Sequence, residues 1–415
     1  MWLRLQARTI HAPLSPPPFV QTAITNSPRL QPRPHRTTLR TLRRLSYFPR
    51  SKTNGDGTKR THRVTTTREK RSRPARRRDG LRRPMHLLRL LLATALLSGL
   101  LQAAAPNPST AAPKAPAVSD PEKLKYVLPL PPDENVSYGP HRMQVIYFWR
   151  ARSDRPTPLL FYIHGGGWNG GDRSVVRNML LPALQAGISV ASVEYRTIRD
   201  ATADGLIPPV RGPMLDCARA LQFCRSKARE WNLDKTRIAA AGGSAGACTS
   251  LWLAFHDDLA DPRSPDPVAR ESTRVTCAAV DGAQTSLDPH QMRAWTPNIT
   301  YGAHAFGISA DPKRKLSSFD VFHESRERIL PWIREYSPYE LVSRGDPPIG
   351  LYYSAPPNLG QPEKDPTHSA NFGVKLKERC EADGVRCELV YPGSPDVRHA
   401  TANDFVRAHL LPTSD

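Results

Sequence analysis

"AAAGGSAGA", residues 239–247, stands between an apolar run, "RIAAAG" (237–242), and a helical pattern, "AGACTSLWLAFHDDL" (245–259). It contains Gly242-x-Ser244-x-Gly246. A serine on a strand-to-helix turn with small neighbours is the arrangement of a nucleophile elbow. The turn must be tight so that the hydroxyl stands clear of the sheet, and the flanking residues must be small because strand and helix approach closely there. The next amide, that of Ala245, then sits at a helix N-terminus, where a developing negative charge is favoured.

Some eighty residues earlier, "LLFYIHGGGWNGGD" (159–172) places three glycines straight after a short apolar run. Glycine gives up packing and costs conformational entropy, so something there requires a bare backbone. If Ser244 attacks a carbonyl, charge develops on its oxygen and needs preorganised N–H donors. Amides of Gly166 and Gly167 on a loop after a neighbouring strand would supply them.

The rest of the chain supports a layered α/β architecture. "RMQVIYFW" (142–149), "ISVASVEYR" (188–196), "VTCAAVDG" (275–282), "PIGLYYSA" (348–355) and "RCELVYPG" (386–393) read as further strands. "VVRNMLLPALQAG", "MLDCARALQFCRSKAREWN" and "FGVKLKERCEADG" carry apolar residues at helical spacing. Strands separated by helices predict βαβ units and a mostly parallel sheet. Residues 286–345 break that rhythm with aromatic residues among polar ones, and are expected to form a cap or lid insertion before the penultimate strand. Their aromatic side chains would suit a pocket wall or a cap core.

Composition divides the chain. It has 59 Lys and Arg against 38 Asp and Glu, a net charge of +21. Residues 1–84 hold 22 of the basic and 3 of the acidic residues, a net +19, so the remainder is close to neutral. That first segment is rich in Arg and Pro, without apolar periodicity, and reads as disordered. "MHLLRLLLATALLSGLLQAAAP", from Met85, has the form of a secretory signal. Met85 is thereby expected to be the true start, with export to the periplasm or exterior; residues 85–105 would otherwise be a membrane anchor. With translation from Met85, a nucleic-acid role for the basic segment falls away. Residues 106–123 read as a Pro/Ala/Ser linker, and 124–415 as one α/β domain that includes the insertion 286–345.

All six cysteines follow residue 200. Cys380 and Cys387 flank a predicted helix end and strand start, where a disulfide would fit. Cys217 and Cys224 lie about 10 Å apart along a helix, too far to bridge. Neither the cysteine spacings nor the scattered histidines form a zinc pattern.

"HGGGW" together with "GGSAGA" resembles the α/β-hydrolase esterases of the hormone-sensitive-lipase and bacterial feruloyl-esterase-like (carbohydrate-esterase-like) groups. The resemblance covers roughly residues 124–413; "HGGGWNGGD" and "VEYR" follow the feruloyl-esterase-like pattern more closely. It implies an α/β-hydrolase fold and an oxyanion hole of the Gly166, Gly167 and Ala245 amides. His164 and Gly165 orient the glycine loop, as Gly242 and Gly246 support the elbow. The family order of nucleophile, acid and base implies an acid after "PIGLYYS", where Asp365 fits better than Glu363. It implies a base after "RCELVYPG", where His399 in "DVRHATANDF" is preferred over His409. The usual Gly-x-x-Asp-x-x-Val-Pro surroundings of the acid are absent, with His368 in the valine's place. The activity implied is hydrolysis of a small-molecule or glycan ester through an acyl-enzyme, acetylated or feruloylated carbohydrate included, with no metal or organic cofactor. A peptidase or amide hydrolase of the same fold, and a non-catalytic binding protein that keeps the fold, are the alternatives.

Overall fold

The computed structural model describes residues 127–412, all within the compact unit Ala103–Asp415. The basic segment 1–84, the apolar run from Leu87 to Ala105 and the linker 106–123 lie outside the described residues. Among the described residues, no helix is long and apolar enough to cross a membrane.

Eight strands form one sheet: β1 (Glu134–Ser137), β2 (Val145–Trp149), β3 (Thr157–Ile163), β4 (Ser189–Val193), β5 (Leu233–Gly243), β6 (Cys277–Asp281), β7 (Ile349–Tyr352) and β8 (Cys387–Val390). Their order is β1-β2-β4-β3-β5-β6-β7-β8. β1 and β2 run antiparallel to their neighbours, and every pairing from β4 onward is parallel. This is the α/β-hydrolase fold. The strand expectations correspond to β2 through β8. β1 had no clear signal, because "ENVS" is a half-exposed edge strand whose only large apolar residue is Val136.

The central strands are buried on both faces, which is why they read as continuous apolar runs rather than alternating ones. Ile146, Phe148, Leu159, Phe161, Ile163 and Ala240 belong to one core layer. Tyr147, Trp149, Leu160, Tyr162, Ala239 and Ala241 belong to the other. The helices Arg177–Gln185 and Ala402–Leu410 contribute to the second layer, and Arg211–Ser226, Ala245–Phe255 and Asn371–Asp383 to the first.

The topology fixes where chemistry can occur. From β3 the chain crosses to β4 on one side, yet β5 pairs with β3 on the other. The loops leaving the carboxyl ends of β3 and β5 therefore meet at a switch point, where open α/β sheets bind ligands. Those loops are the glycine run and the Ser244 turn.

Residues 286–345 are largely helical: Pro289–Trp295, Ala303–Phe306, Ser318–Glu324, Arg326–Tyr336 and Pro338–Leu341. Their aromatic residues Trp295, Phe306, Phe319, Phe322 and Tyr336 are buried in the same core layer as the sheet.

Candidate active site

β5 ends at Gly243, and Ser244 follows with φ 54° and ψ −122° before the helix Ala245–Phe255 begins. That backbone region is costly for a residue with a side chain and persists only where the surroundings enforce it. They do so here. The Ser244 amide donates to the Asp281 carbonyl at 2.9 Å, and the Ser244 carbonyl accepts from the Cys248 amide at 2.9 Å. A Cβ on Gly242 or Gly246 would overlap the Ile163 carbonyl, and one on Gly165 would come within 2.7 Å of the Gly243 carbonyl. The small residues of both motifs are thus packing requirements of one joint.

His368 meets Ser244. Its Nε2 lies 3.0 Å from Ser244 Oγ, and its Nδ1 lies 2.8 Å from Asp365 Oδ2. A carboxylate only accepts, so Nδ1 carries the proton and Nε2 is left to accept from the serine hydroxyl. Asp365 is also the cap of the short 3₁₀ turn Pro366–His368, taking the His368 amide at 3.3 Å. Burial alone would raise the Asp365 carboxyl. Its hydrogen bond to His368, the imidazole's charge and the turn amides outweigh that and hold it below the ordinary aspartate value.

His399 is not brought to Ser244. Its Nδ1 lies 3.0 and 2.9 Å from the two Glu388 carboxylate oxygens, and its ring packs edge-on against Phe405 and His409. Its carbonyl accepts from the Tyr352 hydroxyl at 3.2 Å. The expectation that the base follows β8 is therefore corrected: a histidine three residues from Asp365 reaches the serine. Glu363 points elsewhere, its Oε1 3.4 Å from the Ser369 hydroxyl. His409 bonds within its own helix, to the Phe405 carbonyl at 2.8 Å. The signal for His368 was present in "DPTH". Acid and histidine at i,i+3, with proline between them, fit one 3₁₀ turn, in which such residues eclipse.

The glycine loop adopts conformations that require glycine. Gly166 has φ 107° and Gly167 φ 62°. A Cβ on Gly166 would overlap the Gly170 carbonyl. Gly165 and Gly166 line the cavity beside Ser244. Gly167 lies against Tyr301 and His304, whose Nε2 donates to the Gly167 carbonyl at 3.1 Å. Trp168, fully buried, donates its indole N–H to Thr249 Oγ1 at 3.0 Å and so ties the loop to the elbow helix.

His164 is buried away from Ser244. Its Nε2 lies 2.8 Å from Glu194 Oε1 and its Nδ1 2.8 Å from the Gly165 carbonyl, while its ring stacks on Tyr195. Burial opposes a charge here, but the Glu194 carboxylate and both hydrogen bonds outweigh it and raise its pKa. Both nitrogens face acceptors, so the ring clamps the glycine loop.

The cavity at this site has a volume of about 570 Å³. Tyr162, Val175, Tyr352, Ser354 and Asp281 contribute to its wall. None of its lining residues comes from the insertion 286–345, whose aromatic side chains fill core instead. Burial pushes the Asp281 carboxyl up to about 6. Among the described residues, no cluster of His, Cys, Asp and Glu could hold a metal ion.

With this geometry in view, the BD-FAE family profile matches residues 146–354, half of the chain. The chain belongs to the BD-FAE family. The BD-FAE match takes in the glycine loop and Ser244 and stops short of Asp365, His368 and His399. Among curated proteins, this BD-FAE chain is 28% identical over 223 residues to esterase LipC of Mycobacterium tuberculosis, covering 52% of this chain and 48% of the relative. It is 31% identical over 152 residues to the probable carboxylic ester hydrolase LipM of the same organism, covering 35% and 33%. The chain thus spans half or less of the length of these relatives. Among solved structures it is similar to an acetyl ester-xyloside bifunctional hydrolase from Caldicellulosiruptor lactoaceticus, at 20% identity and a TM-score of 0.47, covering 63% of this chain and 86% of that one.

Proposed function

We propose that the protein is a serine carboxylic-ester hydrolase working through an acyl-enzyme. The observation that carries this reading is the relay from Asp365 through His368 to Ser244, at 2.8 and 3.0 Å, on a strained strand-to-helix turn. Membership of the BD-FAE family and the similarity to LipC support it.

The chemistry follows from the donor and acceptor roles. His368 Nε2 takes the hydroxyl proton as Ser244 Oγ attacks the ester carbonyl carbon, and Asp365 stabilises the imidazolium so formed. The carbonyl π electrons move onto oxygen. That oxyanion is stabilised by amides of Gly166, Gly167 and Ala245, the last at the elbow helix N-terminus. Collapse breaks the bond to the alcohol oxygen, which takes the proton from His368. Water then gives a proton to His368 and attacks the acyl carbon, and collapse breaks the bond to Ser244 Oγ, which takes the proton back from His368 as the carboxylic acid leaves.

The test is hydrolysis of p-nitrophenyl acetate by the full chain and its Ser244→Ala, His368→Ala and His399→Ala variants. Ser244→Ala and His368→Ala each lower kcat on the order of 10³-fold or more, while His399→Ala stays within about threefold. A large loss in His399→Ala with activity surviving in His368→Ala would return the base to the loop after β8. A folded parent without turnover would favour the amide-hydrolase or binding-protein reading.

A further inference from the structure

The Asp281 side chain is not used by the relay, yet it borders the same cavity. It ends β6, and its backbone carbonyl holds the Ser244 amide. No hydrogen bond or ion pair engages its carboxylate among the described residues, although the neighbouring polar groups of the wall are committed. Tyr352 donates to the His399 carbonyl at 3.2 Å, and Tyr353 to the Ala283 carbonyl at 2.9 Å. The carboxylate is open to the cavity on one side, and protein around it withholds enough water to raise its pKa to about 6. Asp281 is exposed at the cavity surface, so at neutral pH water serves its ionised oxygens until a ligand hydroxyl takes that water's place.

Its position says which part of a ligand it meets. The next residue, Gly282, is packed on His368, and a Cβ there would lie 3.3 Å from His368 Cδ2, the atom beside Nε2. The Asp281–Gly282 wall therefore flanks the edge of the imidazole that protonates the leaving alcohol. The charged groups that line the cavity are Asp281, Asp365 and the titratable His368, with neither lysine nor arginine among the lining residues. Such a wall disfavours an anionic leaving group and accepts one that donates hydrogen bonds.

We infer that Asp281 is a specificity-determining residue, accepting a hydrogen bond from a free hydroxyl on the alcohol portion of the ester and so selecting polyhydroxylated alcohols over plain alkyl ones. This rests on the esterase reading above and adds the substrate's alcohol class to it.

The experiment measures kcat/KM of the full chain for glycerol monoacetate and for ethyl acetate, which share an acyl group, with acetylcholine as a third substrate. Wild type prefers glycerol monoacetate, and Asp281→Ala lowers the ratio of the two kcat/KM values about tenfold, the discrimination expected when a hydroxyl loses a charged acceptor. Asp281→Asn, which keeps one acceptor oxygen and the same shape, gives an intermediate ratio and guards against misfolding of the alanine variant. A ratio unchanged by both substitutions overturns the inference, as does a wild-type preference for acetylcholine that Asp281→Ala abolishes, which would make the partner a cation. Hydrolysis of all three esters without preference overturns it while the esterase reading stands. Hydrolysis of none by the folded protein overturns both.

Discussion

Ser244 and Asp281 each hold a conformation or charge that the fold would be more stable without. Ser244 stays at φ 54° because backbone hydrogen bonds from β6 and the elbow helix enforce it. Asp281 stays at the cavity wall with no hydrogen bond or ion pair to its carboxyl among the described residues. Its cost depends on pH in a definite direction. Below about pH 4 the carboxyl is neutral in folded and unfolded chains alike, and contributes nothing. Between about 4 and 6 the unfolded chain releases the proton while the folded one retains it, so the unfolded state binds fewer protons and stability falls as pH rises. Above about 6 the penalty is complete. Asp281→Asn should therefore melt at a higher temperature than wild type at pH 7.5, with the gain vanishing by pH 4. Melts of both proteins across that range cancel every titration that the two share. A gain equal at both ends would mean that desolvation of a charge is not its cause.

At the scale of the element, the sequence showed β2 through β8 because burial on both faces makes each a continuous apolar run. It showed the elbow and the glycine loop because a joint with no room for a Cβ leaves glycine as its trace. Asp365, the acid of the proposed relay, was legible for a related reason: it follows β7 and precedes a helix that has a clear period. The base was not. Family order pointed past β8 to His399, and the three-residue turn Pro366–His368 is too short to leave any periodicity. Only the offset of Asp365 and His368 recorded it. The helix that follows this turn, Asn371–Asp383, carries Cys380, whose thiol neighbours that of Cys387 at the start of β8. Both are free thiols, Cys380 buried and Cys387 partly so. That contact and burial push Cys387 well above the usual thiol value, so thiolate, the reactive form, is scarce and air oxidation is slow. A disulfide between them would close a short loop, stabilising by about 2.5 kcal/mol on chain entropy alone. Treatment with copper–phenanthroline should remove two titratable thiols with a mass loss of about 2 Da, the two hydrogens of the thiols. It should raise the melting temperature on the order of 5 °C, and Cys380→Ser should abolish both changes. A rise that persists in Cys380→Ser would assign it to another pair.

At the scale of the whole described unit, the insertion 286–345 sits between β6 and β7 in the chain, as a separable cap would, but its packing is of another kind. Ile329, Ile333, Phe319 and Phe322 share one buried cluster with Ile146, Phe161 and Val280 of the sheet. Polar ties reinforce it. The Trp252 indole of the elbow helix donates to the Glu335 carbonyl at 2.9 Å, the Leu287 amide to Ser337 Oγ at 3.0 Å, and the Asn371 side chain to the Trp295 carbonyl at 2.8 Å. The last of these holds the start of the helix that follows His368, and Asn298 holds the Glu363 backbone from both sides, so the insertion braces the loop that carries Asp365 and His368. A shared core implies a shared transition. Phe322 is fully buried between Phe306 and Phe319, and Phe322→Ala should cost about 3–5 kcal/mol through lost burial and an unfilled cavity. In urea, that loss should move the midpoints read by tryptophan fluorescence, far-UV circular dichroism and residual ester hydrolysis together, because insertion, sheet and relay unfold as one. Midpoints that separate in the variant, with hydrolysis or fluorescence changing before the secondary structure is lost, would show instead that the insertion opens by itself and that the brace on the Asp365–His368 loop is local.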